Sequence, residues 1–399
     1  MWGLAALFYC YAYFQRVAPG VLNDELMREF NVSATQLGHL SACYFYPYAL
    51  MQIPLGLIID RFGVRQAMIA AAILCTVGSL LFAISETFLI ASLGRVLIGT
   101  GASISWVAAL TIGALRLPAN RFALVTGTTL LFGIAGGILA QGPLALFIET
   151  NGWRSAMLSS STAMLLLTGL IVLFVRNQDK EAQTSNTRRP RWWRAIRIVI
   201  RNPQVWKVSV FTMGLVIPMA AFVGLFGIPF VQMLYDTNRS SAGITVSLIL
   251  VGWGLGSPMA GWISDKLGER KTFMLIGPGI LLVSWILIIY LPLPLALFRA
   301  LLLLNGLASG VLILNFPVIK ESIDNSVLST AMGFVNLGGM GISALSLPFV
   351  GWLLDLTWDG AMVNSVRLYN LTSYQLAFLV FPGALILSLA AAALIKKAS

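Results

Sequence analysis

Charge is what this 399-residue chain has least of. Only 10% of its residues are Asp, Glu, Lys or Arg, 58% are hydrophobic, and the mean hydropathy is +0.85. Soluble domains carry about 25% charged residues, so this composition excludes an ordinary water-soluble domain. The long apolar runs indicate an all-α integral membrane protein instead.

Histidine and cysteine are also scarce. His39 is the single histidine, and Cys10, Cys43 and Cys75 lie in apolar runs without the spacing of a disulfide framework or a metal site. The sequence contains no phosphate-binding loop and no nucleophile–base pair. We therefore expect neither an enzyme nor a bound metal or cofactor.

Twelve apolar stretches, each roughly 18 to 25 residues, have the length of membrane-spanning helices. The longest polar segment, about 176–206, separates the sixth from the seventh stretch. The sequence therefore predicts an N-terminal six-helix bundle over 1–175, a basic linker over 176–206 and a C-terminal six-helix bundle over 207–399. The predicted spans are approximately 2–22, 37–58, 67–85, 88–113, 122–146, 155–175, 208–232, 241–263, 272–291, 294–317, 327–353 and 374–395.

The positive residues lie mainly on one side of these spans. Lys and Arg are retained in cytoplasmic loops, and the linker side carries nineteen of them against four opposite. This asymmetry predicts a cytoplasmic linker with both termini inside, and it excludes a nucleic-acid footprint as the reason for the net charge of +11. Anionic lipid is a second potential partner of the linker. The linker contributes Arg176, Lys180, Arg188, Arg189, Arg191, Arg194, Arg197 and Arg201.

A short charged motif occurs twice, at an offset of 205 residues. Both copies read Gly-x-x-x-Asp-(Arg/Lys)-x-Gly-x-Arg and follow an apolar span. Duplication at half the chain length is typical of transporters built from two repeats, with the substrate site between them. The first copy consists of Gly56, Asp60, Arg61, Gly63 and Arg65, and the second of Gly261, Asp265, Lys266, Gly268 and Arg270.

The motif has two interpretations. An Asp at a cytoplasmic helix end pairs with the basic residues of the turn and with a neighbouring helix N-terminus, so it serves as a latch that holds one state of an alternating-access cycle. The alternative is a plain topological turn with stabilising charges. Two copies favour the latch.

The interior of the predicted bundle is cationic. Arg16, Arg95 and Arg299 lie within spans one, four and ten, whereas every Asp and Glu falls in a loop or at a helix end. Arg95 and Arg299 are nearly repeat mates and each lies about seven residues, roughly 10 Å, from the outer end of its span. Buried charges mark a transport pathway, and unopposed guanidiniums favour an anionic substrate. Bracing of helices or snorkelling to the interface is the alternative.

Polar and aromatic residues at helical spacing would complete the site. Tyr9, Tyr13 and Arg16 share one stripe of the first span, and a second stripe runs through the second span. Hydrogen bonding and aromatic cover suit an organic anion, although aromatic belts and helix packing explain such residues equally well. The predicted substrate-binding set is Arg16, Arg95, Arg299, Tyr13, Tyr44, Tyr48, Gln52 and Trp106.

On these motifs the chain resembles the major facilitator superfamily over nearly its whole length. The family's fourth-span motif is similar to Arg95, Gly99, Gly101 and Ala102, and the glycines of the fifth span, Gly133, Gly136, Gly137, Gly142 and Pro143, loosely resemble its antiporter motif. Within the superfamily, the first two spans look most like organic-anion symporters. That resemblance implies that Arg16 binds a substrate carboxylate.

The chain departs from the symporter pattern in its acids. Those proteins often have an acid beside the first-span Arg and another in the fourth span, whereas this chain has Gln15 and an uncharged stretch over 100–106. Proton symport, exchange and facilitated diffusion therefore stay open as modes of coupling.

We interpret the sequence as a monomeric secondary transporter of a small carboxylate-bearing anion in a bacterial inner membrane. A multidrug transporter is suggested by the glycines of span five, and a small-peptide transporter is a further alternative, although a peptide ammonium group would normally require a buried acid. A receptor that does not transport is the rival from another class.

Labelling of single cysteines tests the predicted topology. Cysteines at positions 65, 180 and 266 should react only from the cytoplasmic side, and those at 31 and 236 only from outside, because positive charge is retained inside. A cysteine at position 180 that reacts with an impermeant maleimide added to intact cells would overturn this orientation.

Overall fold

The computed structural model describes residues 1–116, 122–175, 192–324, 327–364 and 366–395, without the side chains of 57, 60, 115, 116, 122, 123 and 192. The linker residues Arg176, Lys180, Arg188, Arg189 and Arg191 therefore lie outside the described residues. Within the described ranges, the first bundle comprises α1 (Trp2–Val17), α2 (Asn23–Phe30), α3 (Ala34–Met51), α4 (Leu55–Ala83), α5 (Phe88–Arg116), α6 (Phe122–Leu139), α7 (Gly142–Asn151) and α8 (Trp153–Phe174).

The second bundle follows a short amphipathic helix, α9 (Trp192–Arg201). It contains α10 (Pro203–Pro218), a π-helical segment (Met219–Phe226), α11 (Gly227–Tyr235), α12 (Arg239–Leu267), α13 (Arg270–Tyr290), α14 (Leu295–Ser309), α15 (Asn315–Ser322), α16 (Leu328–Leu356), α17 (Leu371–Ala377) and α18 (Val380–Leu394). Single 3₁₀ turns occupy Ala18–Gly20 and Gly310–Leu314, and a two-residue hairpin pairs β1 (Met362–Val363) with β2 (Val366–Arg367).

The all-α membrane fold is confirmed. Ten helical segments of the described chain are long and apolar enough to cross a membrane, and α1 and α3 complete the twelve predicted spans. These two give a weaker apolar signal for physical reasons: α1 has only 16 residues before the turn at Pro19, and α3 carries a polar face that includes Ser41 and Gln52 at its end.

The turn between spans two and three differs from a simple loop. The helix α4 extends from Leu55 to Ala83 but is kinked at Gly63, which has φ +79° and ψ 157° and divides α4 into the end of span two and the whole of span three. A left-handed φ of this kind is accessible to glycine at no steric cost. Gly268 plays the matching part after α12, with φ +66°. Gly63 and Gly268, the second glycine of each motif copy, are therefore turn residues.

Span seven is broken, and the first bundle satisfies its free carbonyls. Pro229 lacks the N–H that would bond to Leu225 O, and this oxygen instead accepts from Asn23 Nδ2 at 3.4 Å. In the π segment, Gly227 N–H bonds to Phe222 O, five residues back. Val223 O, one residue later, accepts from Gln141 Nε2 at 2.9 Å. Two buried side chains thus tie the first bundle to span seven.

The bundles pack backbone to backbone at the end opposite the linker. A Cβ added at Gly38 on α3 would lie 2.6 Å from Leu347 O on α16, and one added at Gly351 would lie 2.3 Å from Ala34 O. Small residues permit such approach where no water drives helices together. Spans two and eleven therefore touch without an intervening side chain at this end.

Polar groups reinforce this closure. Asp355, near the end of α16, accepts from the backbone N–H groups of Ala34 and Thr35 at 3.2 and 2.8 Å, and so places its charge at the positive N-terminus of α3. Burial raises the pKa of Tyr369, which keeps its hydroxyl protonated as a donor to Asp355 at 2.6 Å. Arg239 of the second bundle pairs with Asp24 and Glu25 of the first. The structure is closed opposite the linker.

The linker end is more open. A Cβ added at Gly56 would meet no atom within 4 Å, and one added at Gly261 only Ile313 Cγ2 at 4.0 Å. Gln52 Oε1 still accepts from Asn336 Nδ2 at 2.6 Å across the bundles. The first motif glycine thus makes no close helix contact here, in contrast to Gly38 and Gly351.

Substitution of Gly351 by Ala should open the end opposite the linker. The added methyl group must move by about 1 Å to reach normal contact with Ala34 O, and overpacking of this kind costs about 1–3 kcal/mol, which shifts a two-state equilibrium roughly 5- to 150-fold. Spin labels at positions 31 and 236, one on each bundle, should report a longer mean distance in this variant than in the wild-type protein.

The matched control is Gly341→Ala on the same helix, because a Cβ at Gly341 meets nothing within 4 Å. Equal distance distributions for the two variants would contradict the importance of this contact.

Candidate functional site

Arg16 stands at the centre of a cluster of aromatic rings. It lies in the last turn of α1, where the carbonyl end of the helix favours a cation. Its Cζ lies 4.8 Å from the ring centre of Tyr13 and 5.0 Å from that of Tyr48, with Tyr44 and Phe45 at 5.7 and 5.9 Å. We call Arg16, Tyr13, Tyr44, Phe45 and Tyr48 the Arg16 cluster.

The guanidinium of Arg16 has no acidic partner among the described residues. Its Nε is buried without a hydrogen-bond partner there, and none of the ion pairs found in the described part of the chain includes it. The ring faces supply cation–π attraction, about 0.5–2 kcal/mol each. They do not provide the planar acceptor pair that a guanidinium fork binds best.

Arg95 has a different environment. It is only 1% exposed, and its Nη1 donates to Gln15 O at 2.7 Å. Its Cζ also lies over the Tyr44 ring, 5.1 Å from the centre. The structure therefore brings the two arginines to the same tyrosine, but Arg95 is held by the backbone of α1 and braces α5 against it.

Gln15, which stands where the symporters often have an acid, is turned into the first bundle. Its Nε2 donates to Tyr11 Oη at 2.9 Å and to Ser160 Oγ at 3.0 Å. Its side chain is fully buried. It therefore packs towards α8 and does not accompany Arg16 in the cluster.

Arg299 is placed apart from the other two arginines. It lies four residues after Leu295, where α14 begins, and not seven residues into the helix as its repeat mate Arg95 does in α5. Its Nε donates to Thr245 Oγ1 on α12 at 3.1 Å. The contact joins two helices of the second bundle.

A line of aromatic rings extends the Arg16 cluster along α1 and across the bundles. Trp106 packs on Tyr9 at 5.0 Å, Tyr9 on Tyr13 at 6.2 Å, and Tyr13 on Trp253 of the second bundle at 6.2 Å between ring centres. Trp253 was not among the predicted site residues. The sequence does contain a signal for it, because the offset of 205 residues makes it the repeat mate of Tyr48.

Glycines of spans four and five make room for these rings. A Cβ at Gly99 would lie 2.1 Å from Tyr44 O, one at Gly133 would lie 2.3 Å from Tyr9 Cε1, and one at Gly137 would lie 2.9 Å from Tyr13 Cδ1. The glycines of these two motifs therefore serve helix packing around the Arg16 cluster.

Gln52 lies one turn beyond Tyr48, towards the linker end. Its Nε2 donates to Tyr48 O at 3.2 Å, and its Oε1 accepts from Asn336. It contacts the second bundle rather than Arg16. Asn336 is a second residue that the sequence analysis did not identify.

The two motif copies make different contacts. Arg65 donates from Nε to Val175 O at 2.5 Å and from Nη2 to Val172 O at 3.1 Å, which caps the carbonyl end of α8. Arg270 pairs with Asp265 at 3.3 Å and with Glu321 of α15.

The side chain of Asp60 lies outside the described residues. Arg61 and Lys266 lie over the rings of Phe62 and Trp262.

Comparison with known proteins decides the family. The sequence profile of the Major Facilitator Superfamily matches residues 5–346 and 228–398. The chain belongs to this superfamily. It is therefore a multi-pass membrane transporter and not an enzyme, as predicted.

Relatives within the Major Facilitator Superfamily are distant in sequence. A probable sulfoacetate transporter of Cupriavidus necator is 23% identical, with 89% of this chain and 87% of the relative covered. A class H tetracycline resistance protein of Pasteurella multocida is 25% identical, with 87% and 86% covered.

The fold matches that of a solved transporter. A bacterial homologue of the human lysosomal transporter Spinster, solved in an inward-facing and unoccupied conformation, superposes with a TM-score of 0.81 over 98% of this chain and 95% of its own, at 17% identity. At this identity the likeness concerns the fold alone.

Proposed function

We propose that the protein moves a small organic anion across the membrane by alternating access, and that Arg16 binds the anionic group. The observation that carries the proposal is a guanidinium surrounded by four rings, with a buried Nε that has no partner among the described residues. A charge in this setting is costly. A carboxylate or sulfonate offers it the bidentate acceptor that the site lacks.

The other predicted residues take supporting roles. Tyr13, Tyr44 and Tyr48 cover the carbon skeleton, with Trp106 extending this wall through Tyr9. Arg95 holds α1 in place through Gln15 O and adds positive potential near Tyr44. Arg299 braces α14 on α12 through Thr245, and Gln52 joins the bundles through Asn336.

The sulfoacetate relative supports an anionic substrate, since that molecule carries two anionic groups. The tetracycline relative supports drug transport as a second candidate. A drug of that size needs a roomy apolar site, whereas the residues gathered here surround two guanidiniums that belong to no ion pair of the described chain. We therefore favour the anion.

The charge asymmetry of the sequence supports a cytoplasmic linker, and compact loops suit a bacterial inner membrane. With this orientation, closure opposite the linker corresponds to a state that faces the cytoplasm.

Proton symport normally uses an acidic side chain in the membrane to carry the proton. No Asp or Glu of the described residues pairs with Arg16, so we prefer exchange or facilitated diffusion to proton symport.

Transport by reconstituted protein tests the proposal. Proteoliposomes should take up sulfoacetate or benzoate, and not alanyl-alanine or tetracycline. Arg16→Lys should weaken anion affinity roughly 30- to 150-fold, because an ammonium lacks the planar fork and loss of a charge-assisted pair costs about 2–3 kcal/mol.

Arg299→Lys is the matched control and should keep anion affinity, because Arg299 contacts Thr245 in the second bundle. Selective uptake of tetracycline, or anion affinity unchanged by Arg16→Lys, would reject the anion site in favour of drug transport or a structural role.

The duplicated motif is proposed to set the balance between states. Asp265→Asn removes the negative charge that pairs with Arg270 at the α12–α13 turn, and Asp60→Asn changes the corresponding position of the first repeat. Either variant should alter the rate of interconversion by several-fold while anion affinity stays within a few-fold, because differential stability of the two states sets their populations. Rates are to be read from exchange in proteoliposomes and affinity from equilibrium binding. A loss of affinity with a normal exchange rate would contradict the latch.

A further inference from the structure

We propose that Trp253 is a second anchor for the transported anion: its indole Nε1 donates a hydrogen bond to an acceptor group of the substrate that lies away from the group bound by Arg16. The inference rests on the proposed function and narrows it. The substrate is a small organic anion with two separated acceptor groups, such as a sulfonate with a carboxylate.

The two donors share one tyrosine. Arg16 Cζ lies 4.8 Å from the ring centre of Tyr13, and the Trp253 ring lies 6.2 Å from the same centre at an interplanar angle of 33°. Arg16 Cζ is therefore no farther from the indole than the sum of these distances, 11.0 Å. Two acceptors joined by one or two carbon atoms, with a hydrogen bond at each end, fit within this upper limit.

Each donor side chain has one buried N–H without a hydrogen-bond partner within the described residues. Trp253 Nε1 and Arg16 Nε both lack a hydrogen-bond partner there. A buried indole N–H normally finds one, and leaving it unpaired costs about 1–3 kcal/mol. By contrast, Trp2 Nε1 donates to Thr129 Oγ1 at 3.1 Å.

The environment of Trp253 distinguishes it from Trp285, whose Nε1 is also buried without a partner in the described part of the chain. Trp285 is enclosed by Phe222 and Phe381 of its own bundle, at 4.9 and 5.0 Å between ring centres. Trp253 instead meets Tyr13 of the opposite bundle and keeps part of its surface exposed. The Trp253 ring therefore lies at the interface between the bundles, where a transported molecule must bind, and its buried Nε1 is a donor of that ring.

Charge favours two acceptor groups. The guanidiniums of Arg16 and Arg95 both lie over the Tyr44 ring, at 5.7 and 5.1 Å. Arg95 donates to a neutral carbonyl, and neither arginine belongs to an ion pair of the described chain. Two positive charges thus lie beside the same tyrosine ring, and a ligand with two anionic groups offsets more of this charge than a ligand with one.

Anchors on both bundles also link binding to transport. A ligand held only by Arg16 interacts with the first bundle alone and has little differential affinity for the two states. A ligand that also binds Trp253 spans both bundles, so it favours the conformations in which they stand at the correct separation.

The test compares sulfoacetate with acetate, which keeps one anionic group, in the full-length protein. Inhibition constants are measured against uptake, with direct binding in detergent as a second readout. Wild-type protein should prefer sulfoacetate, and Trp253→Phe should reduce sulfoacetate affinity on the order of 10-fold while acetate affinity is unchanged. Trp253→His retains a ring N–H and should restore part of the preference, and Trp352→Phe, at an exposed tryptophan of α16, should have no effect.

The outcomes separate this inference from the proposed function. If Arg16→Lys weakens both anions but Trp253→Phe leaves the preference for sulfoacetate intact, the anion site stands and the second anchor is rejected. If Trp253→Phe weakens both anions equally, the indole contributes packing and the second anchor is again rejected. If neither anion shows binding that depends on Arg16, the proposed function is rejected, and the second anchor falls with it.

Discussion

A buried cation without a fixed acid is the constraint on which the centre of this protein depends. Arg16 is kept in the bundle by the carbonyl end of α1 and by four ring faces. The guanidinium still lacks a counter-charge, because no carboxylate in the described part of the chain forms an ion pair with it. Buried tyrosines surround it, Gly99 of α5 lies against the backbone of Tyr44, and Tyr13 contacts Trp253 of the second bundle. In the proposed function, the anion completes this environment.

Glycine residues have different roles at the two ends of the bundles. Opposite the linker, glycines bring α3 and α16 into backbone contact, and Asp355 places its charge at the N-terminus of α3. At the linker end, the motif glycines Gly63 and Gly268 allow sharp turns, while Gly56 has open space around it. Glycine therefore serves as a contact surface at one end and as a backbone conformation at the other. Alternating access requires such an asymmetry, since the contacts of one end must be absent when those of the other are made.

Breaks in the helices supply polar contacts that a regular helix would not offer. Pro229 frees Leu225 O, and the π segment leaves Val223 O to Gln141. Both acceptors bond to side chains of the first bundle, so the cost of interrupting span seven is offset by links between bundles. Because these links are directional and few, they are well suited to a surface that separates during a transport cycle.

The sequence by itself determined the class of fold, and it also contains the duplicated motif and the residues on which the proposed site is centred. Apolar length predicts helices because the bilayer leaves no other way to satisfy the backbone, and the 3.6-residue period placed Tyr13 beside Arg16 on one face of α1. Spacing along one helix does not determine which side of a neighbouring helix an arginine meets. Only the tertiary structure separated Arg95, held by Gln15 O, from Arg299, held by Thr245. It also brought Trp253 to Tyr13, since a contact between helices of two bundles depends on their packing, which local periodicity does not encode.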